Sequence, residues 1–249
     1  IRDIAKNSQK CMIPINGIPF IEYQLENIGN AGYRDVCFVI NPENGYSIKK
    51  RYGKNFGDIN IEYAIQDYPR GQAHAVLCAQ DVIGENDFIM VNSDNLYSPQ
   101  SLSSLIDAGD VEWATLAFDA EGLIPGISRE EVINKVTNWS TLEIDERKDK
   151  LYVIQRHEKH PEPSRFQYKG KILVDMTCGL YRNNFFDIAR ELHSRFGKGE
   201  LFDQELYSAT VQNEALQRGV PIRAFYVNEE VLDLTTCADI KLLEEKIPR

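Results

Sequence analysis

Asp94 stands in Asn92-Ser93-Asp94-Asn95, directly after the apolar run Phe88-Ile89-Met90-Val91, and Asp233 follows Glu230-Val231-Leu232 just before Thr235-Thr236. Carboxylates at the ends of buried strands lie where open parallel sheets bind their ligands. Two of them brought together could coordinate a divalent cation through oxygen. Lys10, in Gln9-Lys10-Cys11-Met12-Ile13-Pro14, supplies a cation ahead of the turn Asn16-Gly17-Ile18-Pro19. The stretch Gln66-Asp67-Tyr68-Pro69-Arg70-Gly71-Gln72-Ala73 links a predicted strand to an Ala-rich helix. Its Gly71 and Ala73 would let a flat ligand approach the backbone, and the Gln66 amide offers a donor and an acceptor suited to a base edge. Glu158 and Lys159 stand side by side after another predicted strand.

Taken alone, each group has an ordinary structural reading. Asp94 alone would be a turn or helix-capping aspartate, and Lys10 a solvated surface lysine. The Gly71 segment would be an ordinary βα loop, and Glu158 with Lys159 an exposed charge pair. Other chemistries are poorly supported. His157, Glu158 and His160 match no zinc spacing, and His74 and His193 are distant in sequence. There is no G-x-S-x-G elbow for a nucleophilic serine. No G-x-G-x-x-G with a later acidic ribose ligand is found, which argues against a nicotinamide-dependent oxidoreductase.

The elements that must position these residues alternate. Apolar residues at Ile21, Leu25 and Ile28 predict a helix over Phe20 to Ala31, stopped at Gly32. Asp35 to Ile40 reads as a strand buried on both faces. The alternation continues with Ile59 to Ile65 as strand, Gly71 to Val82 as helix, Asp87 to Val91 as strand and Pro99 to Ile106 as helix. Three such units imply an α/β fold with a doubly wound, mostly parallel sheet. After a strand at Val111 to Phe118, the region Ala120 to Asn138 reads as loop, and Thr141 to Ile144 with Lys150 to Ile154 as an antiparallel hairpin. A polar stretch from Arg156 to Arg165 precedes the strand Ile172 to Tyr181. Helices at Phe185 to Phe196 and Leu206 to Arg218, the strand Ile222 to Val227 and a helix from Cys237 to Lys246 complete the reading. No internal repeat is found.

The 249 residues suit one domain with room for a small appended lobe. With 43% hydrophobic residues the chain is a globular sequence, not a disordered one. No run reaches the roughly 18 to 20 apolar residues of a membrane span. A formal charge of −10 argues against a broad nucleic-acid footprint, although a few converging cations and backbone N–H groups can still bind small phosphates. Cys11, Cys37, Cys78, Cys178 and Cys237 are odd in number, widely spaced and without C-x-x-C, as expected of reduced cytosolic thiols.

Taken together and in order, these groups resemble the sugar-1-phosphate nucleotidylyltransferase family. Lys10 to Asn44 is similar to its P-K-x-h-h-P, G-x-P-h-I-x-Y and V-I-N-P-E-N series, and Gln66 to Ala79 to its Q-x-x-P-x-G-T-A-x-A-V loop. Ser93-Asp94-Asn95 corresponds to G-D-N, Glu158-Lys159 to E-K-P, Thr177-Cys178-Gly179-Leu180-Tyr181 to N-x-G-h-Y, and Asp233 to a second metal aspartate. The resemblance covers nearly the whole chain and implies a Rossmann-like, GT-A-like sheet with a small antiparallel sugar-binding lobe. It divides one catalytic domain, 1–249, into a nucleotide-binding half, 1–118, and a sugar-binding half, 119–249. The family's Gly-rich loop, G-x-G-T/S-R-h, would precede Lys10 and is not among these residues; Arg2 corresponds to a position just after its end. Ser93 and Ser140 stand where the family has Gly, Thr177 where it has Asn, and His160 where it has Pro.

The resemblance implies a nucleotidyltransferase that joins a nucleoside triphosphate to a sugar 1-phosphate with release of pyrophosphate. Lys10 would contact the nucleotide phosphates, Gln66 and Gly71 the base, and Asp94 with Asp233 would bind Mg2+. Glu158, Thr177 and Ser140 would lie at the sugar, with Lys159 at its phosphate. The expected setting is cytoplasmic, without nucleic-acid or membrane partners, in a chain whose relatives commonly form homo-oligomers. A non-catalytic nucleotide-sugar sensor or regulatory homologue is the alternative, to be discriminated by the Gly-rich loop. Nucleobase and sugar stay open, since the Gln66 amide can present either end.

Overall fold

The computed structural model describes residues 9–43, 45–124, 126, 128–136, 139–147, 150–159, 167–196 and 205–247, with backbone alone at 135–136, 147, 150–159 and 196. A 3-10 turn at Lys10–Met12 leads into β1 (Pro14–Ile15) and β2 (Ile18–Pro19), paired antiparallel across Asn16 and Gly17. Both turn residues have positive φ, 50° and 84°, which is what a two-residue hairpin with twisted strands requires. Helix α1 (Phe20–Asn30) then buries Phe20, Ile21, Gln24, Leu25 and Ile28 along one stripe.

Strand β3 (Asp35–Ile40) is followed by α2 (Tyr46–Tyr52), β4 (Asn55–Phe56) and β5 (Ile59–Ile65). β3 and β5 pair in parallel, and β4 folds back antiparallel on the start of β5. Next come α3 (Gln72–Cys78), α4 (Gln80–Ile83), β6 (Phe88–Val91), β7 (Asn95–Leu96) and α5 (Pro99–Ile106). Ser98 caps α5 by accepting from the Ser101 N–H at 3.1 Å, with Pro99 at the first turn.

The second half runs β8 (Trp113–Asp119), α6 (Ala120–Leu123), α7 (Arg129–Val136), β9 (Ser140–Arg147) and β10 (Lys150–Lys159). It continues through β11 (Gln167–Tyr168), β12 (Lys171–Asp175), β13 (Cys178–Tyr181), α8 (Asn184–Phe196), α9 (Ser208–Gln217), β14 (Ile222–Val227), β15 (Leu232–Asp233) and α10 (Cys237–Lys246). The main sheet has the order β11-β12-β9-β10-β14-β8-β13-β6. All seven residues of β8 are buried, as expected of a central strand covered on both faces. β12 also pairs with the end of β8, so β12, β9, β10, β14 and β8 close on one another. Among the described residues no helix is long and apolar enough to cross a membrane.

The α/β class is as expected. Parallel pairing is found at β3–β5 and β14–β8, and the strands that enter beside them, β13 and β12, run antiparallel to β8. Strand direction follows from the connections, and a buried apolar run looks the same in either direction. The expected hairpin is the β9–β10 pair, longer than its apolar residues suggest and bulged between Val153 and His157. Several expectations differ from the structure. In β3 only Ile40 is buried, where burial on both faces was expected, because its other residues stay partly or fully open to solvent. The Gly71 to Val82 helix is two helices meeting at Ala79, and the Ile172 to Tyr181 strand is broken at Thr177, whose φ is 59°. The Ala120 to Asn138 loop holds α6 and α7. Of the polar stretch Arg156 to Arg165, the residues through Lys159 belong to β10 and the rest lies outside the described residues.

Candidate functional site

The chain leaves β6 at Val91, turns through residues 92–94 and re-enters a strand at β7, where Asn95 lies opposite Asp233 of β15. The Leu234 N–H donates to the Asp94 carbonyl at 2.9 Å. This short ladder sets two aspartates from distant parts of the chain side by side, each at a strand end. The 3-10 turn at Lys10–Met12 delivers the third charged group: Lys10 Nζ donates to Asp94 Oδ2, with both side chains about a third exposed or less. Beneath them the Cys11 thiol is buried, and desolvation pushes it up to about 12 against a hydrogen bond with Ser93. It is a packed, protonated thiol and no nucleophile.

Asp233 is held above its ordinary pKa, first by burial, then by the charge of Asp94 and that of Asp239, while the Thr235 hydroxyl and Lys10 oppose the shift. Thr235 Oγ1 donates to Asp233 Oδ1 at 2.7 Å. The loop is fixed from the other side by the α10 capping box, in which Asp239 Oδ2 accepts from the N–H groups of Thr235 and Thr236. A half-buried carboxylate beside a second carboxylate, with one lysine between them, is a donor set short of positive charge. Among the described residues no group of three or more His, Cys, Asp or Glu could hold a metal ion. The pair fits a hard divalent cation that keeps most of its waters or takes oxygens from a phosphate ligand.

The Gln66 segment begins where β5 ends. Gln66 N–H donates to the Ile40 carbonyl at 2.9 Å, and its side-chain Nε2 lies 3.2 Å from the Gly71 carbonyl and 2.9 Å from His74 Nδ1. Gly71 has φ 92°, and a Cβ there would sit 2.5 Å from the Leu206 carbonyl oxygen. The close backbone approach that Gly71 permits is therefore made by Leu206, which donates to Arg70 at 2.8 Å and accepts from Ala73 at 3.0 Å. From this clamp a polar chain leads to the aspartates. Ser208 Oγ donates to Gln72 Oε1, Gln72 Nε2 to Asn92 Oδ1, and Asn92 Nδ2 to Asn95 Oδ1, each at 3.2 Å.

On the other side, Ser140, Lys159 and Asp175 stand abreast on β9, β10 and β12, with Glu158 opposite Thr141. The side chains of Glu158 and Lys159 lie outside the described residues. Thr177 is buried, and its N–H donates to Asp175 Oδ1 at 2.8 Å. The fully buried Tyr97 joins the two halves: its hydroxyl donates to the Met176 carbonyl and lies 3.3 Å from Asn95 Oδ1 and 3.5 Å from the Thr177 carbonyl.

The structure thus groups Lys10, Asp94 and Asp233, sets Gln66 and Gly71 in one clamped loop, and aligns the backbones of Ser140, Glu158 and Lys159 next to the strand break at Thr177. Sequence reasoning passed over Gln72, Asn92, Asn95 and Tyr97 as connectors. The signal available was the density of amide side chains around Asp94, which an isolated turn would not need. A surface groove of about 860 Å3 between α2 and β5, lined by Tyr46, Lys49, Lys54 and Tyr63 among others, includes none of these residues.

Residues 1–118 match the family model described as nucleotidyl transferase. The chain is 24% identical over 163 residues to a low-salt glycan biosynthesis nucleotidyltransferase of Haloferax volcanii, covering 65% of this chain and 42% of that protein. It is 32% identical over 105 residues to a glucose-1-phosphate thymidylyltransferase of Neisseria meningitidis, covering 41% of this chain and 36% of that protein. The matches therefore span less than half the length of these two relatives. A UTP–glucose-1-phosphate uridylyltransferase of Bacillus subtilis is 25% identical over 198 residues, 70% of this chain and 64% of that protein. Among solved structures, a UDP-glucose pyrophosphorylase complexed with UDP-glucose superposes with TM-score 0.75 at 15% identity, covering 96% of this chain and 90% of that one. The UDP-glucose pyrophosphorylase from Acinetobacter baumanii gives 0.72 at 16%, covering 97% and 86%. These likenesses extend the fold over nearly the whole chain. Over residues 1–118 the chain matches the nucleotidyl transferase family model, and the relatives it resembles are sugar-1-phosphate nucleotidyltransferases.

Proposed function

We propose that the protein transfers a nucleotidyl group from a nucleoside triphosphate to a sugar 1-phosphate, giving a nucleotide sugar and pyrophosphate. An oxygen of the sugar phosphate attacks the α-phosphorus in line, the bond from that phosphorus to the bridging oxygen breaks, and the electron pair leaves with pyrophosphate. The attacking phosphate is already ionised at neutral pH, so no general base is required. The difficulty is repulsion between anions, on the order of 4 kcal/mol per pair of charges at about 4 Å and an effective dielectric near 20. Catalysis then consists of positioning and of cations held where charge accumulates.

The observation that carries this reading is the convergence of Lys10, Asp94 and Asp233 at two strand ends. In it Asp94 and Asp233 would hold Mg2+, which when bound supplies positive charge between the reacting phosphates. In this reading Lys10, paired with Asp94 in the free protein, would turn to the triphosphate, the Gln66–Gly71 loop would meet the base, and Glu158, Thr177 and Ser140 would lie at the sugar, with Lys159 at its phosphate. A cytosolic location is part of the reading, supported by five unpaired cysteines. The test is a pyrophosphate-release screen with Mg2+ over UTP, dTTP, CTP and GTP against a panel of sugar 1-phosphates, with the product identified by mass. Release with a matching nucleotide sugar is expected for at least one pair, and none from folded protein in any combination overturns the reading.

A further inference from the structure

A nucleobase that meets Gln66 meets one end of its amide, and the structure distinguishes the ends. Gln66 Nε2 lies 3.2 Å from the Gly71 carbonyl and 2.9 Å from His74 Nδ1. A carbonyl oxygen only accepts, so the group facing Gly71 is the NH2. That NH2 can also donate to His74 Nδ1 only if this nitrogen carries no proton, which puts the imidazole proton on Nε2. Both amide hydrogens are then engaged, and Gln66 Oε1 has no hydrogen-bond partner among the described residues.

His74 is itself held in place. It sits in the first turn of α3, its ring 4.7 Å from that of His193 on α8 and tilted 39° to it. A small hollow of about 310 Å3 beside it is lined by Cys78 of α3 and by Arg190 and His193 of α8. Burial first, then the charges of His193 and of Arg70 in the loop, hold the His74 pKa below its ordinary value. The neutral ring that the Nδ1 acceptor needs is therefore the form present at neutral pH.

We propose that His74 is a positioning residue that locks the Gln66 amide with its oxygen outward, so that the loop selects a base presenting an N–H donor. The imide edge of a uracil-type base does so, whereas the ring nitrogen of cytosine at that place is an acceptor. This rests on the nucleotide reading of the loop given above. Opposing an acceptor to Gln66 Oε1 leaves both groups unpaired, a penalty of about tenfold or more in affinity. In acid, protonated His74 becomes a donor at Nδ1 and the lock is released, so discrimination falls as the pH drops through the lowered His74 pKa.

The experiment combines two readouts on the folded protein. Ring 15N shifts report the His74 tautomer without any ligand, and calorimetric titration with UTP and CTP in Mg2+ reports selectivity. Expected are the Nε2–H tautomer, a preference for UTP of about tenfold, a ratio near one in His74→Ala, and restoration in His74→Asn, whose Oδ1 can stand in for Nδ1. His74→Phe keeps an aromatic ring beside His193 while removing the acceptor, and reads the same loss should the alanine variant not fold. An Nδ1–H tautomer, or an unchanged ratio in the folded variants, overturns the proposal even where nucleotides bind. The Nε2–H tautomer with neither nucleotide bound overturns the nucleotide reading of the loop, and the selectivity built on it.

Discussion

Leu234 donates its backbone N–H to the carbonyl of Asp94 at 2.9 Å, and this bond extends the two-residue β7–β15 ladder into the loop that carries both aspartates. The relation is one of main chain to main chain. Substituting either carboxylate therefore leaves the hydrogen bond that brings them together, and function can be separated from folding.

Asp94→Asn is the direct use of that separation. The side chain is 27% exposed and pairs with Lys10, which can still donate to an amide oxygen. Pyrophosphate release is expected to fall by at least about 100-fold, as when a group aimed at developing charge is removed. The melting temperature and circular dichroism spectrum should stay close to wild type. Near-normal turnover would remove Asp94 from the reaction.

Asp233→Asn should separate stability from activity in the opposite sense. Burial and then Asp94 raise the Asp233 pKa. A carboxyl that binds its proton more tightly in the folded state stabilises the fold fully at pH below its unfolded value, and that contribution is lost as pH rises through the folded value. Metal-free wild type at neutral pH thus carries the full cost of an ionised Asp233, which the amide avoids while keeping an acceptor for Thr235. The variant should melt higher than wild type at pH 7 without metal, the difference closing toward acid, and Mg2+ should raise the melting temperature of wild type only. Thermal scans at several pH values, with and without Mg2+, measure all three.

Gly71→Ala should act through the backbone. The residue has φ 92°, and its added Cβ would meet the Leu206 carbonyl oxygen at 2.5 Å. Left-handed strain and overpacking together predict a loss of about 2–4 kcal/mol in denaturant unfolding, with weaker nucleotide binding as the Arg70–Leu206–Ala73 clamp opens. An unchanged midpoint would mean that the loop does not rest on Leu206.

What could be seen from the sequence follows the physics of each feature. Strands such as Asp35–Ile40 and Ile59–Ile65 are visible because short continuous or alternating apolar runs, bounded by turn residues, suit a sheet better than a surface helix or a loop. Asp94 and Asp233 were legible as strand-end carboxylates, although their pairing depends on a ladder only two residues long. The strand break at Thr177 was not legible, since a β-branched residue at φ 59° is held there by its surroundings. Helix α7 lay within a stretch read as loop, yet its start carries a reciprocal cap: Glu131 N–H donates to Ser128 Oγ, and Ser128 N–H to Glu131 Oε2. Ser128-Arg129-Glu130-Glu131 was a readable signal, masked by Gly122, Pro125 and Gly126 just before it.

Tyr97→Phe tests whether the two halves of the site communicate. The Tyr97 hydroxyl is fully buried, donates to the Met176 carbonyl and lies 3.3 Å from Asn95 Oδ1, so it ties the turn carrying Asp94 to the strand break at Thr177. Removing one oxygen leaves the Met176 carbonyl without that donor, a cost of about 1–3 kcal/mol in unfolding free energy. If the break positions the acceptor substrate, its displacement should raise the KM for the sugar phosphate by about tenfold while the KM for the nucleotide changes little. The two constants, measured separately in the pyrophosphate assay, decide the matter. Equal changes in both would assign Tyr97 to general stability, and a selective rise for the sugar phosphate would assign it to the join between the halves.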